Sequence, residues 1–143
     1  MSRRKSRIIA FQGLYSWDVG GINEKDILEL SWVKKDDGSE VLDVENAAFA
    51  RSLIAGTIEN INEIDERIKS HLKNWTIERL NKVTLAILRM SVYSLLYGKD
   101  VKPSIIIDEA IDIAKDYGVD DSYKFINAVL DNIRKETETE QAK

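Results

Sequence analysis

The sequence predicts an all-α fold of about seven helices, and three observations predict it. Among 143 residues there are only 7 glycines and 1 proline, so few positions interrupt a helix. Apolar residues recur at three- and four-residue spacing, the period of an amphipathic helix, and no stretch sustains the alternation of a strand. Hydrophobic residues make up 43% of the chain, enough to fill one core at this length. No internal repeat and no linker divides it. Residues 1–143 therefore read as a single domain, with a basic arm at 1–7 and a frayed polar tail at 136–143.

The first helix is expected from about Arg4 to Val19, with Ile8, Phe11, Leu14 and Tyr15 on one side and Gly20-Gly21 as its stop. Asn23, with Asp26 three residues on, caps a short second helix to about Trp32. Residues 33–42 are charged, contain Gly38 and read as a surface loop. A third helix runs from about Asp43 to Asn60, and Ile61, Ile64, Ile68 and Leu72 carry a fourth stripe. Thr76 is the expected cap of a fifth helix over about 77–98. Its apolar residues cover nearly every face, which marks a central helix buried by several neighbours. Arg89 lies inside that run and needs a carboxylate partner, for which Glu109 is the candidate. Pro103 opens a sixth helix to about 117, with Ile106, Ile107, Ala110, Ile111 and Ala114 inward. Asp120 or Asp121 caps a seventh, about 121–135, with Phe125, Ile126, Val129, Leu130 and Ile133 as its stripe.

Composition excludes several chemistries. There is no cysteine, hence no disulfide, thiolate metal site or cysteine nucleophile. The single histidine, His71, leaves little for a triad or a zinc site. No Gly-rich phosphate loop, Gly-x-Ser-x-Gly or His-Glu-x-x-His occurs. Asp108, Glu109 and Asp112 cluster near the start of a helix, where the macrodipole favours acids without any metal. Neither an enzyme nor a cofactor is expected. No apolar run reaches the ~18 residues of a membrane span. The basic N-terminus continues into an amphipathic segment rather than a signal peptide, so a cytoplasmic protein with no membrane contact is expected.

Charge is the positive clue. The net charge is −4, from 21 basic and 25 acidic residues. Arg3, Arg4, Lys5 and Arg7 stand within the first seven residues, and without them 17 basic residues face 25 acidic ones. A local cationic cluster on an acidic body suits one defined contact with a polyanion. The cluster meets the start of a helix, where the dipole disfavours it, and this favours a binding role. Arginine forks suit phosphate oxygens. Tyr15 projects from the same helix, either as core or as a stacking platform. At the opening of the last helix, free N–H groups and Lys124 can receive an anion, and Asp121 can accept from a cytosine amino group. A helix cap and a core Phe125 account for most of the same segment.

Four blocks, taken together, resemble a known family. They are Arg4-Lys5-Ser6-Arg7 with Ala10-Phe11-Gln12-Gly13-Leu14-Tyr15-Ser16-Trp17; Phe49-Ala50-Arg51-Ser52-Leu53-Ile54-Ala55-Gly56; Ala86-Ile87-Leu88-Arg89-Met90; and Asp108-Glu109-Ala110 leading to the run from Gly118 to Asp131. In order and spacing, over about residues 3–135, they resemble the NusB family of bacterial transcription antitermination factors. The resemblance implies two small three-helix bundles sharing a core and a role without catalysis. It implies binding of single-stranded boxA RNA in ribosomal RNA leaders together with NusE, a ribosomal protein. It also implies membership of an RNA polymerase complex with other Nus factors, and it leaves room for a homodimer. Arg4, Lys5 and Arg7, with Arg3 beside them, match the family's arginine-rich motif. Tyr15 matches its Leu-Tyr-Ser motif, and Asp121, Lys124 and Phe125 match the RNA-facing residues of the last helix. Thr84 and Leu85 stand where the family has an acidic residue, Ser94 where it has Glu, and Ser6 where Ala is common.

Two other readings share these features. One is an orphan RNA-binding module like the domain ahead of an rRNA cytosine methyltransferase, although no catalytic domain or cysteine is present. The other is a helical homo-oligomerisation protein. If three or four cations each neutralise a phosphate of a single strand, the slope of log K against log salt is roughly −2 to −3.

Overall fold

The computed structural model describes residues 3–33 and 43–142. Those residues form seven α-helices and one 3₁₀ turn: α1 (Arg3–Gly20), α2 (Glu24–Leu28), α3 (Val44–Glu59), α4 (Ile61–Lys69), the 3₁₀ turn Ile77–Arg79, α5 (Lys82–Tyr97), α6 (Pro103–Tyr117) and α7 (Ser122–Ala142). The loop expected at 33–42 lies, apart from Val33, outside the described residues. Among the described residues no helix is long and apolar enough to cross a membrane.

The local signals act much as expected. Asn23 Oδ1 accepts from the Asp26 N–H at 2.9 Å, and Asp43 Oδ1 accepts from the Asn46 N–H at 2.8 Å. Gly21 takes φ +68° and turns the chain out of α1. Leu30, at φ 58°, ends the second helical segment earlier than the expected Trp32. Pro103 opens α6, where its missing N–H costs nothing.

Three expectations are corrected. Thr76 makes no cap hydrogen bond, and it precedes only the 3₁₀ turn. The cap of the central helix is Asn81, whose Oδ1 accepts from Val83 and Thr84 N–H at 3.0 and 3.1 Å. Ile113, rather than Ile111, completes the fully buried stripe of α6. The tail is helix rather than a frayed end, and α7 continues to Ala142. Arg67 of α4 reaches Glu136 at 3.6 Å and Glu140 at 2.9 Å, one helical turn apart, and so ties this extension to the body.

Packing explains why α5 is apolar all round. Helices α1, α3 and α5 pack against one another, as do α5, α6 and α7. Two three-helix groups therefore share α5, and one continuous core runs through both. Its centre includes Leu14, Ile54, Leu88, Ile126 and Leu130, all essentially without exposure. Helix α2 lies across α1 and α3, and α4 bridges α3, α5 and α7. The one buried charge of α5, Arg89, does not pair with Glu109. Its Nε and Nη2 donate to Asp65 Oδ1 and Oδ2, both at 2.9 Å, and Nη1 stands 3.3 Å from Asp18 of α1. Glu109 is engaged elsewhere.

Candidate nucleic-acid interface

The basic residues form no free arm. Helix α1 begins at Arg3, so Arg3, Arg4, Lys5 and Arg7 occupy its first two turns and project at successive angles around it. Arg3 lies toward α3. Its Nη1 donates to Asn46 Oδ1 at 3.3 Å, and its guanidinium stands 4.3 Å from the centre of the Phe49 ring. Arg4 lies toward α6. Its Nε donates to Glu109 Oε2 at 3.0 Å, its Nη2 to Glu109 Oε2 as well, and Nη2 again to Asp112 Oδ2 at 2.8 Å. Arg7 sits between them, over the Phe49 ring, with Nη1 donating to Glu109 Oε1 at 3.1 Å.

Burial separates the two arginines that share Glu109. The Arg7 side chain is 9% exposed and the Arg4 side chain 43%. Desolvation pushes the Arg7 guanidinium below its ordinary value, against the pull of Glu109. The hydrogen bond to Glu109 holds Arg4 above its ordinary value. Both stay charged at neutral pH. Arg7 is thus a structural charge, while Arg4 keeps an open side. Two of the acids of α6, Glu109 and Asp112, which the helix dipole alone could account for, are the partners of these arginines.

A surface groove runs along this part of α1. Arg4, Lys5, Gln12 and Tyr15 line it, with Trp32 and Tyr117 on its walls. Tyr15 is 37% and Tyr117 46% exposed. Tyr117 is held by an edge-to-face contact with Phe11, at 5.4 Å between ring centres. Cations beside half-exposed aromatic rings are the combination that single-stranded nucleic acid uses, phosphate to cation and base to ring. Neither Trp32 nor Tyr117 is singled out by the sequence. Only the tertiary placement of Val33, Val83 and the end of α6 beside α1 brings them to the groove.

The second expected group opens α7, four residues after Tyr117. Asp121 adopts φ 64°, a left-handed conformation that Asp tolerates, and its carbonyl accepts from the Lys124 N–H at 3.0 Å. Neither Asp120 nor Asp121 lies in the helix, which starts at Ser122. Asp121 and Lys124 are largely exposed, 3.7 Å apart. Phe125 is partly buried against the core, and Tyr123 is flanked by Lys115 and Lys124. The structure thus brings Arg4, Lys5 and Tyr15 into one groove. It turns Arg3 and Arg7 toward Phe49, and it sets Asp121 on the turn that follows the groove's Tyr117 wall and Lys124 in the first turn of α7.

Comparison with known proteins gives one consistent result. The NusB family model matches residues 4–135. The transcription antitermination protein NusB of Treponema denticola is 54% identical over 134 residues, covering 94% of this chain and 96% of that protein. A solved structure of T. maritima NusB superposes with a TM-score of 0.83 at 36% identity, covering 95% of this chain and 92% of that one. A solved complex of antitermination factors NusB and NusE with dsRNA gives a TM-score of 0.75 at 30% identity, covering 95% and 99%.

Proposed function

The chain belongs to the NusB family, and we propose that it acts as that family's antitermination factors do, by holding boxA RNA of ribosomal RNA leader transcripts jointly with NusE. The groove of Arg4 and Lys5 beside the exposed rings of Tyr15 and Tyr117 is the observation that carries this reading. The cations take the sugar–phosphate backbone and the rings take unstacked bases. Asp121 and Lys124 add polar contacts at the adjoining turn. The likeness to a chain of a complex of NusB and NusE with dsRNA supports RNA binding jointly with NusE. The role is non-catalytic and cytoplasmic. The bound RNA and NusE join the elongating RNA polymerase with other Nus factors, and termination is suppressed.

The acidic body repels RNA except at this end, so affinity alone is weak and NusE supplies the missing surface. The test is a titration of a boxA oligoribonucleotide, and of a scrambled one of equal length, with and without NusE. Preference for boxA and tighter binding with NusE are expected. Equal retention of both RNAs would favour a general RNA module of the kind fused to rRNA methyltransferases. No retention, with self-association on sizing, would favour a homo-oligomerisation protein.

A further inference from the structure

The two carboxylates that face Arg4 differ in how firmly they are held. Glu109 accepts Arg7 on Oε1 and Arg4 on Oε2, and its side chain is 15% exposed. It cannot leave without stranding a buried guanidinium. Asp112 accepts from Arg4 Nη2 and is 45% exposed. A carboxylate offers an arginine the same acceptor oxygens as a phosphate does, at the same distances. Two arginines and two carboxylates also sum to no charge, so the cluster as it stands has little net pull on a polyanion.

We propose that Asp112 is an internal competitor for RNA, taking a hydrogen bond from Nη2 of the half-exposed Arg4 in the free protein and yielding that place to a phosphate on binding, while Glu109 stays and positions both arginines. This rests on the RNA-binding reading of the same groove. The exchange has two costs, the ion pair given up and the repulsion between the freed Asp112 carboxylate and the incoming phosphate. Both vanish when Asp112 is neutral. Affinity for RNA is therefore set partly by a residue that never touches it. Exchange at an exposed pair is fast and screened by salt, so the effect fades as ionic strength rises.

The test is a boxA titration in the presence of NusE with the full chain, using wild type, Asp112→Asn, Arg4→Gln, the double variant and Asp116→Asn. Asp116 is exposed one turn further along α6, which makes its variant a control for charge alone. Asp112→Asn is expected to bind about two- to fivefold tighter at low salt, the range of an exposed ion pair. Asp112→Ser should move affinity in the same direction. Asp116→Asn should change little, and the gain from Asp112→Asn should be smaller in the Arg4→Gln background, where no ion pair has to be given up. Equal gains from Asp112→Asn and Asp116→Asn, or an undiminished gain without Arg4, would overturn the exchange. If Arg4→Gln weakens binding and Asp112→Asn is silent, the exchange fails and the RNA reading stands. If Arg4→Gln leaves affinity unchanged, RNA is not at this end of α1 and both fall.

Discussion

Arg7 and Glu109, 102 residues apart in the chain, meet at 3.1 Å between Nη1 and Oε1, and neither has much solvent left around it. The pair joins the first turns of α1 to α6. Neutralising Glu109 leaves a nearly buried guanidinium without its counter-charge. Glu109→Gln is expected to lower stability by about 2 kcal/mol, since a desolvated charge loses its partner. Chemical denaturation checks this. Arg4, with 43% exposure, should tolerate Arg4→Gln with far less loss.

Arg89 is the second buried fork, and its two acid partners are unequal. Asp65 takes both nitrogens at 2.9 Å, while Asp18 stands at 3.3 Å from the third. Asp65→Ala should cost about 2 kcal/mol, because Asp18 keeps part of the charge satisfied. Asp18→Asn should cost less than half as much. Melting curves of the two variants give the order, and equal losses would show that the bidentate geometry carries no extra weight.

Gly56 of α3 faces the ring of Tyr93 on α5 so closely that a β-carbon there would overlap the ring itself. Gly56→Ala is expected to destabilise by about 2 kcal/mol, as overpacking does. A smaller partner should relieve it. The loss in Gly56→Ala with Tyr93→Leu should therefore fall short of the sum of the two single losses.

Asp131 on α7 accepts from Arg134 Nη2 at 2.6 Å and lies 3.2 Å from Lys135 Nζ. The hydrogen bond from Arg134, then that from Lys135, holds its carboxyl below the ordinary value of 3.8. A carboxyl that is more acidic when folded adds stability above its unfolded value and loses it as pH falls through the folded one. Asp131→Asn should thus lower the melting temperature slightly at neutral pH, in keeping with an exposed pair. The difference should close progressively below about pH 4.

The burial of Arg7 changes the salt dependence expected from the sequence. Four cations at 1–7 would allow a slope near −3. With Arg7 nearly buried against Glu109, fewer than four cations can reach a phosphate, and the expected slope of log K against log salt is roughly −2 for single-stranded RNA. Replacing Arg4 should make it shallower by less than one, while Lys124→Ala reports whether the start of α7 adds a contact. A slope near zero would remove the basic turns from the interface.

Much of the candidate site is legible in the amino-acid sequence. Arg3, Arg4, Lys5 and Tyr15 stand out because charge density and helical spacing are local properties. The roles within the cluster are not legible there. The direction in which each arginine points follows from which neighbour stands beside α1, and that neighbour comes from residues 109 and 112. Trp32 and Tyr117 stay hidden for the same reason, since each reads as one more apolar residue at the end of a helical segment.

The sequence alone determined the helices, the centrality of α5 and the place of the basic cluster. Each depends on residues within a few turns of one another, where periodicity, capping and dipole act. Tertiary structure alone decided which carboxylate answers which arginine, where α7 ends and which rings line the groove. These are matters of contact between segments up to 108 residues apart. Several acids are equally plausible partners for an arginine on charge alone, and only the packing of α1 against its neighbours brings one of them within hydrogen-bond reach.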